Sequence, residues 1–255
     1  MINKTNTIPV ILAAGMGTRL GIEYSNKPKC FVDFFGKKLI EIQLDCLIQQ
    51  NFDEAIIVIG HQAQYFSTYI GSRYKSLNLH YITNKQFEST GSAQSLSLTS
   101  SIWRKYQKNF LMLHADIYYE NTILSNFCSQ LNIKKNYILL DENFVNETND
   151  EQVVIGDKKI VNELIKGKPK ADLKKGESLG VNYWTIEFMD RYFDFLKEFL
   201  VSNKTVNWEQ TIKPFLQKNH DLKLFYMGIG DKFWKNINYQ EDLIKAKQIH
   251  KTLHI

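Results

Sequence analysis

A chain of 255 residues, 44% hydrophobic and 23% charged, has ample apolar material for a core and is too apolar for disorder. Its net charge of +5 comes from scattered lysines such as Lys27 and Lys29, Lys37 and Lys38, and Lys134 and Lys135, with no run long enough for a nucleic-acid-binding arm. Three dispersed cysteines (Cys30, Cys46, Cys128) exclude a disulfide framework or zinc site, and the polar N-terminus and lack of any ~20-residue apolar stretch predict a cytoplasmic protein without a membrane span.

Ile8 to Ala14 is a short apolar run ending in glycines and reads as a buried strand. Leu39 to Gln50 places its apolar residues at helical spacing, and Ala55 to Gly60 is a second buried strand. A helix over Ala63 to Tyr74, a strand over Leu79 to Thr83, a helix over Ser92 to Trp103 and strands at Phe110 to His114 and Ile138 to Leu140 follow. Strands alternating with helices at this spacing predict βαβ units, a largely parallel sheet and right-handed crossovers. Uninterrupted apolar strands agree, because such a sheet is covered on both faces.

The pattern changes after about residue 141. Gln152 to Ile165 reads as a hairpin turning at Gly156-Asp157, and the Lys-rich stretch from Leu164 to Gly176 reads as a loop. A strand at Leu179 to Thr185, helices at Phe188 to Val201 and Trp208 to Lys218, a strand at Leu222 to Met227 and a helix at Tyr239 to Leu253 complete the chain. The prediction is one domain over residues 1–255, with a nucleotide-binding half at 1–140 and an acceptor-binding half at 141–255.

Chemistry concentrates in Leu12 to Lys29. A glycine-rich turn, Leu12-Ala13-Ala14-Gly15-Met16-Gly17-Thr18-Arg19, leaves the first strand. Glycines let the backbone approach a phosphate and point successive N–H groups at it. Arg19 adds a forked cation suited to phosphate oxygens, and Lys29 follows ten residues later, after Pro28 stiffens the approach. Neither the P-loop nor the dinucleotide-binding glycine pattern is present. His61 and His114 have no partner at ligand spacing and read as structural or near-site residues.

The string LAAGMGTRL followed by KPK resembles the sugar-phosphate nucleotidylyltransferase superfamily. That resemblance implies a Rossmann-like three-layer α/β/α fold with a mixed, mostly parallel central sheet and a small hairpin insertion. It implies a Mg²⁺-dependent transfer of a nucleoside monophosphate from an NTP to a small phosphorylated acceptor, with Arg19, Lys29 and Asp116 as the catalytic residues. It places a nucleobase loop at Thr90-Gly91-Ser92 and a metal ligand at Asp116, which ends an apolar strand; Asp116 as a cap for the next turn is the alternative. Asn238 stands where many relatives carry Asp and is the implied second ligand, through an amide oxygen.

Gly180-Val181-Asn182-Tyr183-Trp184 and Asn207-Trp208-Glu209 resemble the short bacterial phosphocholine cytidylyltransferases, which implies CTP as donor and a role in surface polysaccharide decoration. Aromatic faces from Tyr183, Trp184 and Trp208 with the Glu209 carboxylate would suit an ammonium-bearing acceptor, although both tryptophans equally suit core packing. The polar stretch Asn149 to Gln152 stands where choline-type relatives carry a further aromatic, and points instead to a smaller amine, an aminophosphonate, an amide or a polyol phosphate. Lys166, Lys168 and Lys170 either reach the acceptor phosphate or are solvated. A sugar-1-phosphate nucleotidylyltransferase using another NTP and a non-catalytic nucleotide-binding regulator are the alternatives; the presence of Arg19, Lys29 and Asp116 speaks against the second. Homo-oligomers are frequent in the superfamily.

Overall fold

The computed structural model describes residues 2–143, 152–168 and 174–253. In chain order the strands are β1 (Thr7–Ala13), β2 (Asp33–Phe34), β3 (Lys37–Lys38), β4 (Glu54–Ile59), β5 (Arg73–Tyr74), β6 (Leu77–Thr83), β7 (Asn109–His114), β8 (Ile117–Tyr119), β9 (Asn136–Asp141), β10 (Gln152–Asp157), β11 (Ile160–Lys166), β12 (Lys174–Trp184), β13 (Leu224–Gly228) and β14 (Trp234–Asn236). The helices are α1 (Leu39–Gln49), α2 (Ser92–Leu98), α3 (Ser100–Tyr106), α4 (Asn121–Gln130), α5 (Ile186–Phe199), α6 (Trp208–Lys218) and α7 (Gln240–Leu253).

Among the described residues, ten strands form one mixed sheet in the order β10-β11-β13-β9-β12-β7-β1-β4-β6-β5. β7, β1, β4 and β6 pair in parallel. β12 enters antiparallel between β7 and β9 and joins the two halves. The chain moves outward from β1 to β4 and β6, then returns to the other side of β1 as β7. The strand order therefore reverses between β1 and β7, and the crevice beyond the carboxyl ends of such strands is where open α/β sheets hold ligands.

β1 is buried along almost its whole length because both its faces are covered. Ile11 and Ala13 pack on the side of α1 and α4, whereas Ile8 and Val10 pack on the side of α2, α5 and α6. Trp208, Ile212 and Phe215 of α6 are fully buried in that second layer, each contributing about 1.5–3 kcal/mol of burial. A third cluster, containing Leu20, Val32, Phe34 and Leu243, fastens α7 beneath the β2–β3 hairpin.

Several local expectations are corrected. The helix over Ala63 to Tyr74 shrinks to a wide turn at Phe66–Ile70, closed by Gly71 at φ 76° with its N–H donating to Phe66, and Arg73–Tyr74 pairs with β6 instead. The helix over Ser92 to Trp103 divides at Thr99, whose hydroxyl donates to the Leu96 carbonyl. The β10–β11 turn falls at Lys158 and Lys159, while Gly156 stays in β10 at a register shift. The Lys-rich stretch already forms strand from Lys174, paired with β10. Residues 149–151 and Lys170 lie outside the described residues.

Candidate active site

β1 delivers the glycine-rich turn to the crevice. At Gly15 an added Cβ would meet nothing within 4 Å, so the cavity begins at the backbone itself. Gly17 is different: its φ is 64°, and a Cβ there would lie 2.8 Å from the Lys29 Cβ. Glycine at this position lets the Lys29 stem lie across the turn. Pro28 holds an extended backbone, and the following turn buries Cys30 and Phe31, which fixes Lys29 from behind.

The Lys29 ammonium donates to Asp116 Oδ2 at 2.7 Å and to Asn238 Oδ1 at 2.7 Å. Arg19 Nη2 donates to the same Asn238 oxygen at 3.0 Å, with its guanidinium 5.6 Å from the Tyr239 ring centre. Residues far apart in the chain thus meet at one point. Asp116 sits in the β7–β8 turn, which Gln43 braces by donating through Nε2 to the carbonyls of His114 and Ile117, both at 2.9 Å. Asn238 follows β14, whose neighbour Ile237 donates its N–H to the Asp116 carbonyl at 2.8 Å. Burial pushes the Asp116 carboxyl up, but the Lys29 ammonium, His114 and the Lys29 hydrogen bond outweigh it and hold the group below the usual carboxylate range.

The expected nucleobase loop forms another wall. A Cβ on Gly91 would lie 2.0 Å from the Val206 carbonyl oxygen, because the loop is pressed against residues 204–206 and the Gly91 N–H donates to Lys204. Ser92 accepts the Trp208 N–H at 3.0 Å, while the Ser92 N–H and hydroxyl both approach Asn207 Oδ1 at 3.3 Å. Two helix N-termini therefore cap each other.

A cavity of about 430 Å³ unites these parts. Leu12 to Arg19, Lys29, Thr90, Gly91, Ser92, Asp116, Asn238 and Glu209 all line it. Sequence reasoning missed Phe87, which follows β6, and Glu177 and Ser178, which the pairing of β12 with β10 and β9 brings to the cavity; Gln152 and Lys166 line it as well, and Lys168 does not. Tyr183, Trp184 and Trp208 are corrected as acceptor-side aromatics. Each is fully buried, and none lines the cavity. Tyr183 donates its hydroxyl to the Ile133 carbonyl on one face of the sheet; Trp184 packs among Phe110, Phe188 and Tyr192 on the other. Trp208 donates its indole N–H to His114 Nε2 at 2.7 Å, which places the imidazole proton on Nδ1. The His114 ring also lies where a side chain on Gly180 (φ 72°) would be, 2.7 Å from an added Cβ.

Glu209 is buried behind this ring. Its Oε1 is 3.9 Å from His114 Nε2, and its Oε2 has no hydrogen-bond partner among the described residues. Burial raises its carboxyl above the usual range, with His114, a hydrogen bond from its own backbone N–H and Lys166 offsetting only part of the effect and Asp116 adding to it.

A family profile described as nucleotidyl transferase matches residues 8–251. The chain belongs to that family. Over 246 residues it is 27% identical to the choline-phosphate cytidylyltransferase of Streptococcus pneumoniae, covering 95% of this chain and 98% of that protein. A 115-residue stretch is 27% identical to the CMP-5'-(3-aminopropyl)phosphonate synthase of Streptomyces rubellomurinus, covering 45% of this chain and 18% of that longer protein. The fold superimposes on that of the CTP:phosphocholine cytidylyltransferase of Streptococcus pneumoniae with a TM-score of 0.71 at 22% identity, covering 96% of this chain and 99% of the other. No helix among the described residues is long and apolar enough to cross a membrane.

Proposed function

We propose that this nucleotidyltransferase moves CMP from CTP to a small phosphorylated or phosphonate acceptor and releases pyrophosphate. The observation that carries the reading is the meeting of Arg19, Lys29, Asp116 and Asn238 on a cavity that the glycine turn, the expected base loop and residues of β10, β11 and β12 also line. Cytidylyltransferase relatives favour CTP as the donor. A CMP-linked small molecule also fits surface polysaccharide decoration, the role implied by the resemblance.

The acceptor phosphate is itself a nucleophile near neutral pH, so the site needs positioning and charge stabilisation more than a base. Amides of the Gly15 to Gly17 turn and the Arg19 guanidinium would hold the departing β- and γ-phosphates. Lys29 would leave its present partners to lie beside the α-phosphate, where negative charge grows as the phosphorus takes on a fifth oxygen. Phe87 and the loop Thr90-Gly91-Ser92 would receive the base, with the hydroxyls and amides offering bonds to its edge.

The donor set suits Mg²⁺. Asp116 Oδ2 and Asn238 Oδ1 are hard oxygens converging on a single cation, the Lys29 ammonium, and Mg²⁺ commonly takes one or two such ligands and completes its shell with phosphates and water. Bound there, the ion would neutralise charge on the phosphate oxygens. No group of three or more His, Cys, Asp or Glu side chains arranged for a metal occurs among the described residues, so the phosphates would supply the remaining ligands.

The direct test is pyrophosphate release with CTP, GTP, UTP, ATP and dTTP, each against non-sugar phosphates and hexose 1-phosphates. Release with CTP and a non-sugar acceptor is the expected result. Release only with a sugar 1-phosphate and another NTP would replace this reading with a sugar nucleotidylyltransferase; nucleotide binding without release from any pair would favour a regulator.

A further inference from the structure

We propose that, beyond its phosphate, the acceptor carries an amine or amide nitrogen bearing N–H groups, and that Glu209 and Gln152 select it against a quaternary ammonium. The inference deepens the CMP-transfer reading and rests on it. Two residues that line the cavity each carry a buried acceptor oxygen with no donor among the described residues. Glu209 is 5% exposed and its Oε2 is unpartnered; the Oε1 of Gln152, at the start of β10, is buried and also unpartnered among the described residues. A buried acceptor without a donor costs free energy that a ligand N–H recovers on binding. The terminal torsions of Glu and Gln are soft, so either oxygen can turn toward a ligand without disturbing the backbone.

His114 does not satisfy Glu209. Its Nε2 already accepts the Trp208 N–H at 2.7 Å, so that atom has no proton to give in this arrangement, and the 3.9 Å separation is too long for a hydrogen bond. Glu209 Oε2 therefore keeps no donor among the described residues, on a side chain that lines the cavity. A primary ammonium offers charge and three N–H donors, and an amide NH₂ offers two donors. A trimethylated ammonium offers charge alone.

The remaining way to hold a quaternary ammonium is a cage of aromatic faces. The three aromatics suited to that are buried in the core, and among the described residues the only rings lining the cavity are Phe87 and His114. Phe87 packs against His61 beside the base loop, and the His114 ring is enclosed by Gly180 and the Trp208 edge. The acceptor end is built instead from Gln152, Glu177, Ser178 and Glu209 with Lys166 beside them, a wall that reads hydrogen-bond donors.

The experiment compares phosphoethanolamine with phosphocholine, which differ only in N-methylation, together with a phosphorylated primary amide, by pyrophosphate release with CTP and Mg²⁺. The expected result is a kcat/KM at least about tenfold higher for the better N–H-bearing acceptor than for phosphocholine, the discrimination of one charged hydrogen bond. Glu209→Gln should raise the KM for phosphoethanolamine about tenfold while leaving the KM for CTP unchanged; Gln152→Leu should do the same for the amide. Equal or better turnover of phosphocholine by the wild type overturns the inference and leaves CMP transfer standing. Turnover confined to acceptors without nitrogen overturns it as well. Failure of every NTP and acceptor pair defeats the underlying reading instead. The wild-type comparison decides the matter even if a variant misfolds.

Discussion

Replacing Lys29 by Met tests the centre of the site from a direction that turnover alone cannot. The ammonium now sits 2.7 Å from both oxygens assigned to the metal, with its side chain 11% exposed and that of Asp116 31% exposed. A hard dication seeking those oxygens meets this charge. At about 4 Å and an effective dielectric of about 20, a divalent and a monovalent cation repel by about 8 kcal/mol, twice the unit-charge value. Nucleotide phosphates offset that repulsion; the bare protein has nothing equivalent. Lys29→Met should therefore bind Mn²⁺ without nucleotide at least about tenfold more tightly than the wild type, a gain needing only about 1.4 kcal/mol of the relief. Loss of the free Mn²⁺ signal in electron paramagnetic resonance reads the binding directly. The same variant should lose turnover by about 10²–10³-fold, the usual cost of removing one stabilising donor from a developing charge. Equal Mn²⁺ affinity in the two proteins would refute the argument that lysine and metal compete for one position.

Asp116→Ala should abolish turnover while the protein still binds CTP in its absence of metal, and EDTA should remove wild-type activity reversibly; full activity in EDTA would remove Asp116 from its proposed role. Gly91→Ala places a methyl 2.0 Å from the Val206 carbonyl oxygen, overpacking worth about 1–3 kcal/mol, and should raise the KM for CTP and lower the melting temperature by roughly 2–4 °C per kcal/mol. For Glu209, burial raises the folded-state carboxyl above its unfolded value, so the native protein holds the proton more tightly and loses stability as pH rises through that window. Glu209→Gln should accordingly melt higher than the wild type at pH 7.5, and the difference should vanish below the unfolded carboxylate pKa of about 4. Asp116 carries the opposite sign: its lowered carboxyl stabilises above the unfolded value, and that contribution fades as pH falls through the folded one. A pH-independent difference in melting temperature for Glu209→Gln would disprove the charge argument.

The share of the glycine turn, Arg19 and Lys29 in the cavity was legible because they are close in the chain. Glycines, Arg19 and Lys29 all fall within Leu12 to Lys29, where spacing along the chain is nearly spacing in the fold. Asp116 was legible as a polar residue ending an apolar strand. The acceptor end was not. An aromatic residue in a string such as Gly180 to Trp184 serves a core or a cage equally well, and only the parity of β12 sends Tyr183 to one buried layer and Trp184 to the other. Gln152, Lys166 and Glu177 reach the cavity through pairings among β10, β11 and β12, which no local pattern encodes. The lost helix at residues 63–74 has a local cause, since Gly71 ends it, but the wish of Arg73 and Tyr74 to pair with β6 depends on a partner outside that segment.

The mutual cap between Ser92 and Asn207 has a consequence for heredity. It makes the loop assigned to the base and the helix end bearing Glu209 a single mechanical part, with Gly91 left no room for even a methyl group. A lineage changing its acceptor by remodelling residues 204–209 must keep a surface that Gly91 and Ser92 still fit. Substitutions on these two segments should therefore covary among descendants, and the preference for a base should be slow to drift.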